Sequence, residues 1–314
     1  MSAMTLPAAP FHMINAFGPS PYAGNQASVV LFPKGDPRTK DDNYMQTVAR
    51  DFNLSETAFL HPLDDVEVPT YSLRWFTPAD EVPLCGHATL ASAVTLFNYV
   101  HPQATELHFQ TRWRGELVAY RESPVGQGLR VGLSLPISEI TEEKRPEVIS
   151  AVLAAAELTE SDLVRVASFD FGGPSPVVQL RDDIDLANLK VDESKLLPSV
   201  SATCVYTQVV PDNAQKHGSV KATSRVFAPG LGVPEDPVTG SAWAILTGFY
   251  LSSFGRDSVA ALLPPGTDVA KATIDAHQLS ARGGALTCTL RDGRAYITGR
   301  GWRTAHGTLE NPLE

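Results

Sequence analysis

Three cysteines, Cys85, Cys204 and Cys288, are all that the 314-residue chain contains, and none belongs to a C-x-x-C pair. An odd, scattered set of thiols fits neither a disulfide framework nor a cysteine zinc site, and reads as reduced thiols in a cytosol. The eight histidines show no H-x-x-x-H or carboxylate spacing that holds a metal, so no metal is expected. Basic charge is also short. Against 35 Asp and Glu stand 25 Lys and Arg, for a net charge of −10, and they form no cluster, which argues against nucleic acid as a partner. No apolar run approaches the ~20 residues needed to span a bilayer, and Met1 to Pro10, though apolar, has no basic stretch at its start. The expectation is a cytoplasmic protein with no membrane partner.

With 43% hydrophobic and 19% charged residues, the composition is that of a globular protein, and the length suits two domains. The densest signal lies between Arg225 and Ala242, which hold two carboxylates, three prolines and three glycines just ahead of the apolar run Trp243 to Leu251. A Pro-rich segment that stops at Thr239-Gly240-Ser241 reads as a helix start, with Thr239 or Ser241 near the cap. Backbone N–H groups bared there attract an anion. The first half carries the same arrangement: Arg74-Trp75-Phe76-Thr77-Pro78, then Gly86-His87-Ala88 leading into another apolar run. Arg74-x-Phe76-x-Pro78 matches Arg225-x-Phe227-x-Pro229, Gly86 matches Gly240, and Arg114-Gly115 and Asp292-Gly293 are expected to turn the matching hairpins that follow.

The remaining elements read in the same order in each half. Phe11 to Phe17 and Ala27 to Phe32 are strands, Asp41 to Asp51 an amphipathic helix, Ala58 to Leu60 and Tyr71 to Phe76 strands, Gly86 to Tyr99 a helix, and Glu106 to Glu122 a hairpin. In the second half Leu129 to Leu135, Phe169 to Leu180 (broken at Gly172-Gly173-Pro174), Ala202 to Val210 and Lys221 to Phe227 read as strands. Pro146 to Ala156 reads as a helix, and Leu286 to Gly301 as the last hairpin. The Gly/Pro-rich stretch Ser123 to Gly128 sets the expected boundary between domains 1–127 and 128–314, with the option that the chain end packs back on the first. Two similar α/β domains related by a pseudo-twofold axis place both helix N-termini at one cleft suited to a small carboxylate.

Ser55-Glu56-Thr57-Ala58-Phe59, Leu84-Cys85-Gly86-His87-Ala88 and Pro234-Glu235-Asp236-Pro237-Val238-Thr239-Gly240-Ser241-Ala242 together resemble the phenazine-biosynthesis isomerase family, the PhzF-like proteins. The resemblance spans nearly the whole chain. It implies the diaminopimelate-epimerase fold, in which each of two α/β domains wraps a curled mixed sheet around a central helix, and it implies catalysis without a cofactor, in a setting of secondary metabolism. Residue by residue, it implies that Glu56 is the proton-carrying glutamate, that His87 and Asp236 are its polar partners, and that Ser55, Gly86, Gly240 and Ser241 hold the substrate. Moving a proton between two carbons of an acidic substrate needs a base that later returns the proton as an acid, and one carboxylate serves both steps. Assembly is left open, a homodimer included.

Two other readings stay open. Cys85, one residue before a helix start, is placed where a thiol ionises more readily. In epimerase relatives two cysteines face each other from the two repeats, and Cys85 matches the first position, which makes a two-base epimerase or racemase the alternative. Thr239 occupies the second position and cannot act as a thiolate. The other alternative is a small-molecule-binding protein of the same fold without turnover. Asn15 stands where the family commonly has aspartate, and Gly24-Asn25-Gln26 where it has Gly-Asn-Pro. Trp75, Trp243 and Tyr250 are expected in the core rather than in a pocket.

Overall fold

The computed structural model describes residues 7–63, 67–170, 173–200, 202–211 and 218–310. Contacts divide the chain into two compact units, one of Met1–Ser134 with Thr298–Glu314 and the other of Leu135–Ile297. The Ser123 to Gly128 stretch lies inside the first unit, because strand Val131–Pro136 pairs antiparallel with Glu116–Arg121 and the stretch is the loop between them. The strand Gly301–Leu309 also lies in the first unit, antiparallel to Ala9–Ala16. Of the turn expected at Gly172-Gly173-Pro174, Gly172 lies outside the described residues, as do Met1 to Leu6.

Each unit is a mixed sheet built to one plan. In the first, Ala9–Ala16 runs antiparallel to Asn25–Leu31, which is parallel to Glu56–Pro62. That strand is antiparallel to Thr70–Phe76, which is parallel to Glu106–Thr111, which is antiparallel to Glu116–Arg121. The second unit repeats the alternation with Leu163–Asp170, Pro174–Leu180, Cys204–Val210, Ser219–Ala228, Thr273–Gln278 and Gly284–Arg291. The duplication in the motifs is therefore a duplication of topology. One correspondence needs correction. The hairpin that matches the Gly115 turn is closed at Gly283, not at Asp292-Gly293, because its strands are Thr273–Gln278 and Gly284–Arg291. Gly115 and Gly283 both sit at φ +66°, the left-handed backbone region that glycine adopts without a Cβ penalty. Asp292-Gly293 instead turns the chain into the next strand, Arg294–Gly299. The second copy is longer because the short helix Arg256–Ala260 and a helical turn at Val269–Lys271 precede its hairpin.

The helices Gly86–Tyr99 and Gly240–Ser252 begin at the expected glycines. Neither has a polar face. Gly86 through Phe97 are all buried, as are Ala242 through Leu251, which is the signature of a helix enclosed by its own unit rather than laid on a surface. Such a helix tolerates hydroxyls only if each finds an acceptor. Thr89, Ser92 and Thr95 each donate to the carbonyl four residues back at 2.6–2.9 Å, and Thr247 does the same to Trp243. Trp75, Trp243 and Tyr250 are fully buried core residues, and the Tyr250 hydroxyl lies 2.9 Å from Thr207 Oγ1. The helix Asp42–Phe52 is amphipathic, capped by Asp41 and stopped by Asn53 in the left-handed region. It packs Met45 and Ala49 against Val30, Phe32 and Phe59. No helix of the described residues is long and apolar enough to cross a membrane.

Candidate active site

The repeated R-x-F motif builds the same clamp in both units. Arg74 reaches across to Glu81 with Nε at 2.7 Å and Nη2 at 2.5 Å, and its guanidinium carbon sits 5.1 Å from the Phe76 ring centre. Arg225 grips Glu235 through Nε at 2.7 Å and Nη2 at 2.9 Å, with its guanidinium carbon 5.1 Å from the Phe227 ring centre. Each carboxylate rides on a short strand, Glu81–Val82 or Val233–Asp236, paired antiparallel to the arginine's own strand. A bidentate guanidinium–carboxylate pair fixes direction as well as distance, so it holds the turn that delivers each chain to its helix start. Cys85 and Thr239 are the N-cap residues of the two helices, which makes them structural equivalents. Neither donates a capping side chain, and neither first turn holds an acidic residue. The N-terminal partial positive charge of each helix is thus left uncompensated by its own side chains.

In the first unit, Glu56 opens strand Glu56–Pro62 opposite Ala27 and is 7% exposed. Ser55, just before it, places its hydroxyl 3.0 Å from Asn25 Oδ1, 2.9 Å from the Gln26 carbonyl and 3.3 Å from His87 Nε2. His87, the second residue of its helix, has Nδ1 3.4 Å from Asn25 Nδ2 and 3.3 Å from Cys85 Sγ. An amide nitrogen only donates, so Nδ1 is the acceptor and Nε2 carries the proton. That proton faces the Ser55 oxygen, while the Ser55 hydroxyl donates onward to Asn25 or Gln26. Burial pushes the imidazole down to about 4, against a smaller opposing pull from its hydrogen bond to the Gln26 backbone, so His87 is neutral at physiological pH. Asn25 is the member of this network that its sequence context did not mark as functional; its turn setting hid a fully buried bridge between Ser55 and His87.

In the second unit, Asp236 ends strand Val233–Asp236 and accepts the Thr239 hydroxyl through Oδ2. Gln278 staples the turn between them. Its Oε1 accepts from Thr239 N at 2.9 Å, and its Nε2 donates to the Asp236 carbonyl at 2.7 Å and to Thr239 Oγ1 at 3.2 Å. Gly240 and Ser241 follow as the first two residues of the helix, Gly240 buried and Ser241 half-buried. Gln278 carried no motif; alternation of the apolar Ile274 and Ala276 with the polar Asp275 and His277 was the one signal for its strand. The turn is also wedged from below. A Cβ on Gly284 would lie 2.0 Å from Cγ2 of the fully buried Val238. Gly284→Ala is therefore expected to cost about 1–3 kcal/mol of stability, the usual penalty of overpacking. Val238→Ala in the same chain should restore part of it. Urea unfolding of the single and double variants checks this, and an unchanged midpoint for Gly284→Ala would show that the turn yields freely.

Cys204 and Cys288 are fully buried, and burial pushes both thiols up to about 12, which keeps them inert. Among the described residues no three His, Cys, Asp or Glu side chains are grouped so as to hold a metal.

The chain is 36% identical over 311 residues to the human "Phenazine biosynthesis-like domain-containing protein", covering 96% of this chain and 98% of that one. It is 33% identical to an "Uncharacterized isomerase" of Pseudomonas aeruginosa, covering 94% of this chain and 96% of that one. The crystal structure of a phenazine biosynthesis protein of the PhzF family from Enterococcus faecalis superposes with a TM-score of 0.74 at 28% identity, covering 97% of this chain and all of that one. A hydroxyproline epimerase from Agrobacterium vitis, solved with bound trans-4-hydroxy-L-proline, shares the fold at a TM-score of 0.53 and 12% identity, covering 97% of this chain and 94% of that one. Residues 14–307 match the PhzC-PhzF family, described as "Phenazine biosynthesis-like protein", and the chain belongs to that family.

Proposed function

We propose that this chain is an isomerase that moves a proton between carbons of a small carboxylate-bearing metabolite, with Glu56 as both base and acid. The observation that carries the reading is a buried glutamate set directly beside a serine wired to a neutral histidine. A neutral imidazole with its Nε2 proton on the Ser55 side does not compete with Glu56 for the substrate proton, so one carboxylate holds the acid–base role. Ser55 and the bare first turn at Gly86 supply polar contacts to an anionic substrate. In the second unit, Asp236, Gly240 and Ser241 are proposed as the matching substrate-holding group, set by Thr239 and Gln278. The name of the P. aeruginosa relative supports the reaction class.

A panel of small carboxylate metabolites, screened by thermal shift and then incubated with the protein in D₂O, tests this. A specific ligand raises the melting temperature by mass action, and the expected second result is solvent deuterium on a carbon of that ligand. Stabilisation without any carbon-bound deuterium or product would favour the binding-protein reading. Cys85 bears on the two-base reading. Its thiol lies 3.3 Å from the nitrogen of His87 that lacks a proton, and the equivalent Thr239 hydroxyl is engaged by Asp236. Cys85→Ala is expected to keep turnover within about tenfold of wild type, a barrier change of ~1.4 kcal/mol. Near-complete loss of turnover with the fold intact would transfer the base role to the thiol.

A further inference from the structure

Arg300 and Arg303 line a cavity of about 530 Å³ in the first unit, together with Tyr99, Trp302 and the Gly126-Gln127-Gly128 loop. No aspartate or glutamate is among the lining residues, although the chain as a whole carries a net charge of −10. Elsewhere in this unit Arg38, Arg74 and Arg112 each sit on a carboxylate and Arg121 on backbone carbonyls, while among the described residues the isolated, exposed Arg50 and Arg114 sit on no carboxylate. Among the described residues, Arg300 and Arg303 have none. Arg303 rests its guanidinium 3.9 Å from the centre of the Tyr99 ring and brings Nη1 to 3.4 Å from His12 Nδ1. The aromatic surfaces are held in place too. Tyr99, 43% exposed, stacks on His12 at 5.1 Å with 10° between the planes, and Trp302 donates its indole N–H to the Gly18 carbonyl at 2.8 Å.

Two guanidiniums without a carboxylate call for an anion, and the planar fork of arginine matches a carboxylate bidentately. The anchored, half-buried Trp302 indole beside them calls for a flat ring. We propose that this cavity binds a small planar aromatic carboxylate. It shares no residue with Ser55, Glu56 or His87, so the proposal is independent of the isomerase reading.

Titration of ¹⁵N-labelled full-length protein with 2-naphthoate, 2-naphthol and cyclohexanecarboxylate tests it, with the Trp302 indole N–H signal identified by its absence in Trp302→Phe. The expected result is a saturable shift of that signal with 2-naphthoate. Binding should be about tenfold or more weaker for 2-naphthol, which lacks the carboxylate, and for cyclohexanecarboxylate, which lacks the flat ring. Arg300→Gln/Arg303→Gln should weaken 2-naphthoate by a similar factor or more. Arg300→Gln alone leaves the packing of Arg303 on Tyr99 in place and decides the matter if the double variant does not fold. A Trp302 signal unmoved at millimolar 2-naphthoate, equal affinity for the three probes, or unchanged affinity in the arginine variants would each overturn the site.

Discussion

Glu56→Gln is expected to bind substrate and turn it over ~10² to 10⁴ times more slowly than wild type, the range that general acid–base assistance supplies. The amide keeps the shape of the carboxylate and loses its basicity, so binding and chemistry should separate: kcat falls and the substrate dissociation constant changes far less. The position makes this a clean comparison. Glu56 opens a strand whose backbone register with Ala27 continues through Val29 and Leu31, so one altered side-chain atom leaves the pairing in place. The measurement is single-turnover kinetics on a substrate identified by the D₂O screen, alongside equilibrium binding of the same compound. Wild-type turnover by the amide variant would remove Glu56 as the proton carrier and with it the proposed mechanism.

Acidification is expected to destabilise the first unit through His87. An ordinary histidine titrates near 6.5, and burial holds His87 at about 4. The unfolded chain therefore takes up a proton between those values that the folded chain refuses. Stability from the buried neutral ring is full above pH 6.5 and is lost as pH falls through 4. Its size is of order 3 kcal/mol, at 1.36 kcal/mol for each unit of difference. Urea unfolding at pH 7 and pH 4.5 should show most of this loss in wild type, and His87→Gln, which has no proton to gain, should lack that part of it. The imidazole ¹⁵N shifts should in addition report the Nε2-protonated neutral form at pH 7. A ring that titrates near 6.5 would mean that the network around Asn25, Ser55 and Cys85 is open to water.

Much of this was legible because the chain makes its key turn twice. Arg74 and Phe76 recur as Arg225 and Phe227, and both copies precede a glycine and an unbroken apolar run, so the helices at Gly86 and Gly240 could be placed from either copy. The helix at Pro146–Ala156 was equally plain, since a proline at its first turn and ten further helix-compatible residues leave little alternative. What escaped was whatever depends on distant partners. Gln278 belongs to the site only because its strand pairs with Ser219–Ala228 in parallel and brings it beside Thr239, and parallel register leaves no trace in local spacing. The strand Gly301–Leu309 carries exposed and half-buried residues in place of an apolar alternation, so no strand is read there until Ala9–Ala16 pairs with it. The Asp292-Gly293 dipeptide does turn Gly284–Arg291 into Arg294–Gly299, but its strong turn signal drew the match to Gly115 away from Ser280 to Gly283, which makes the equivalent turn.

The two arginine clamps also decide how the protein answers to salt. Dissolved ions screen charges that share their water, which is why an exposed pair such as Lys144 and Glu142, at 78% and 61% side-chain exposure, fades as ionic strength rises. Arg74 and Glu81 are 12% and 9% exposed, and Arg225 and Glu235 are 12% and 24% exposed. Counterions reach them poorly. Concentrated salt therefore strips the outer ion pairs while both helix starts keep their aim, and weakened ligand binding at high ionic strength would report competition for the proposed anion sites rather than a loosened scaffold.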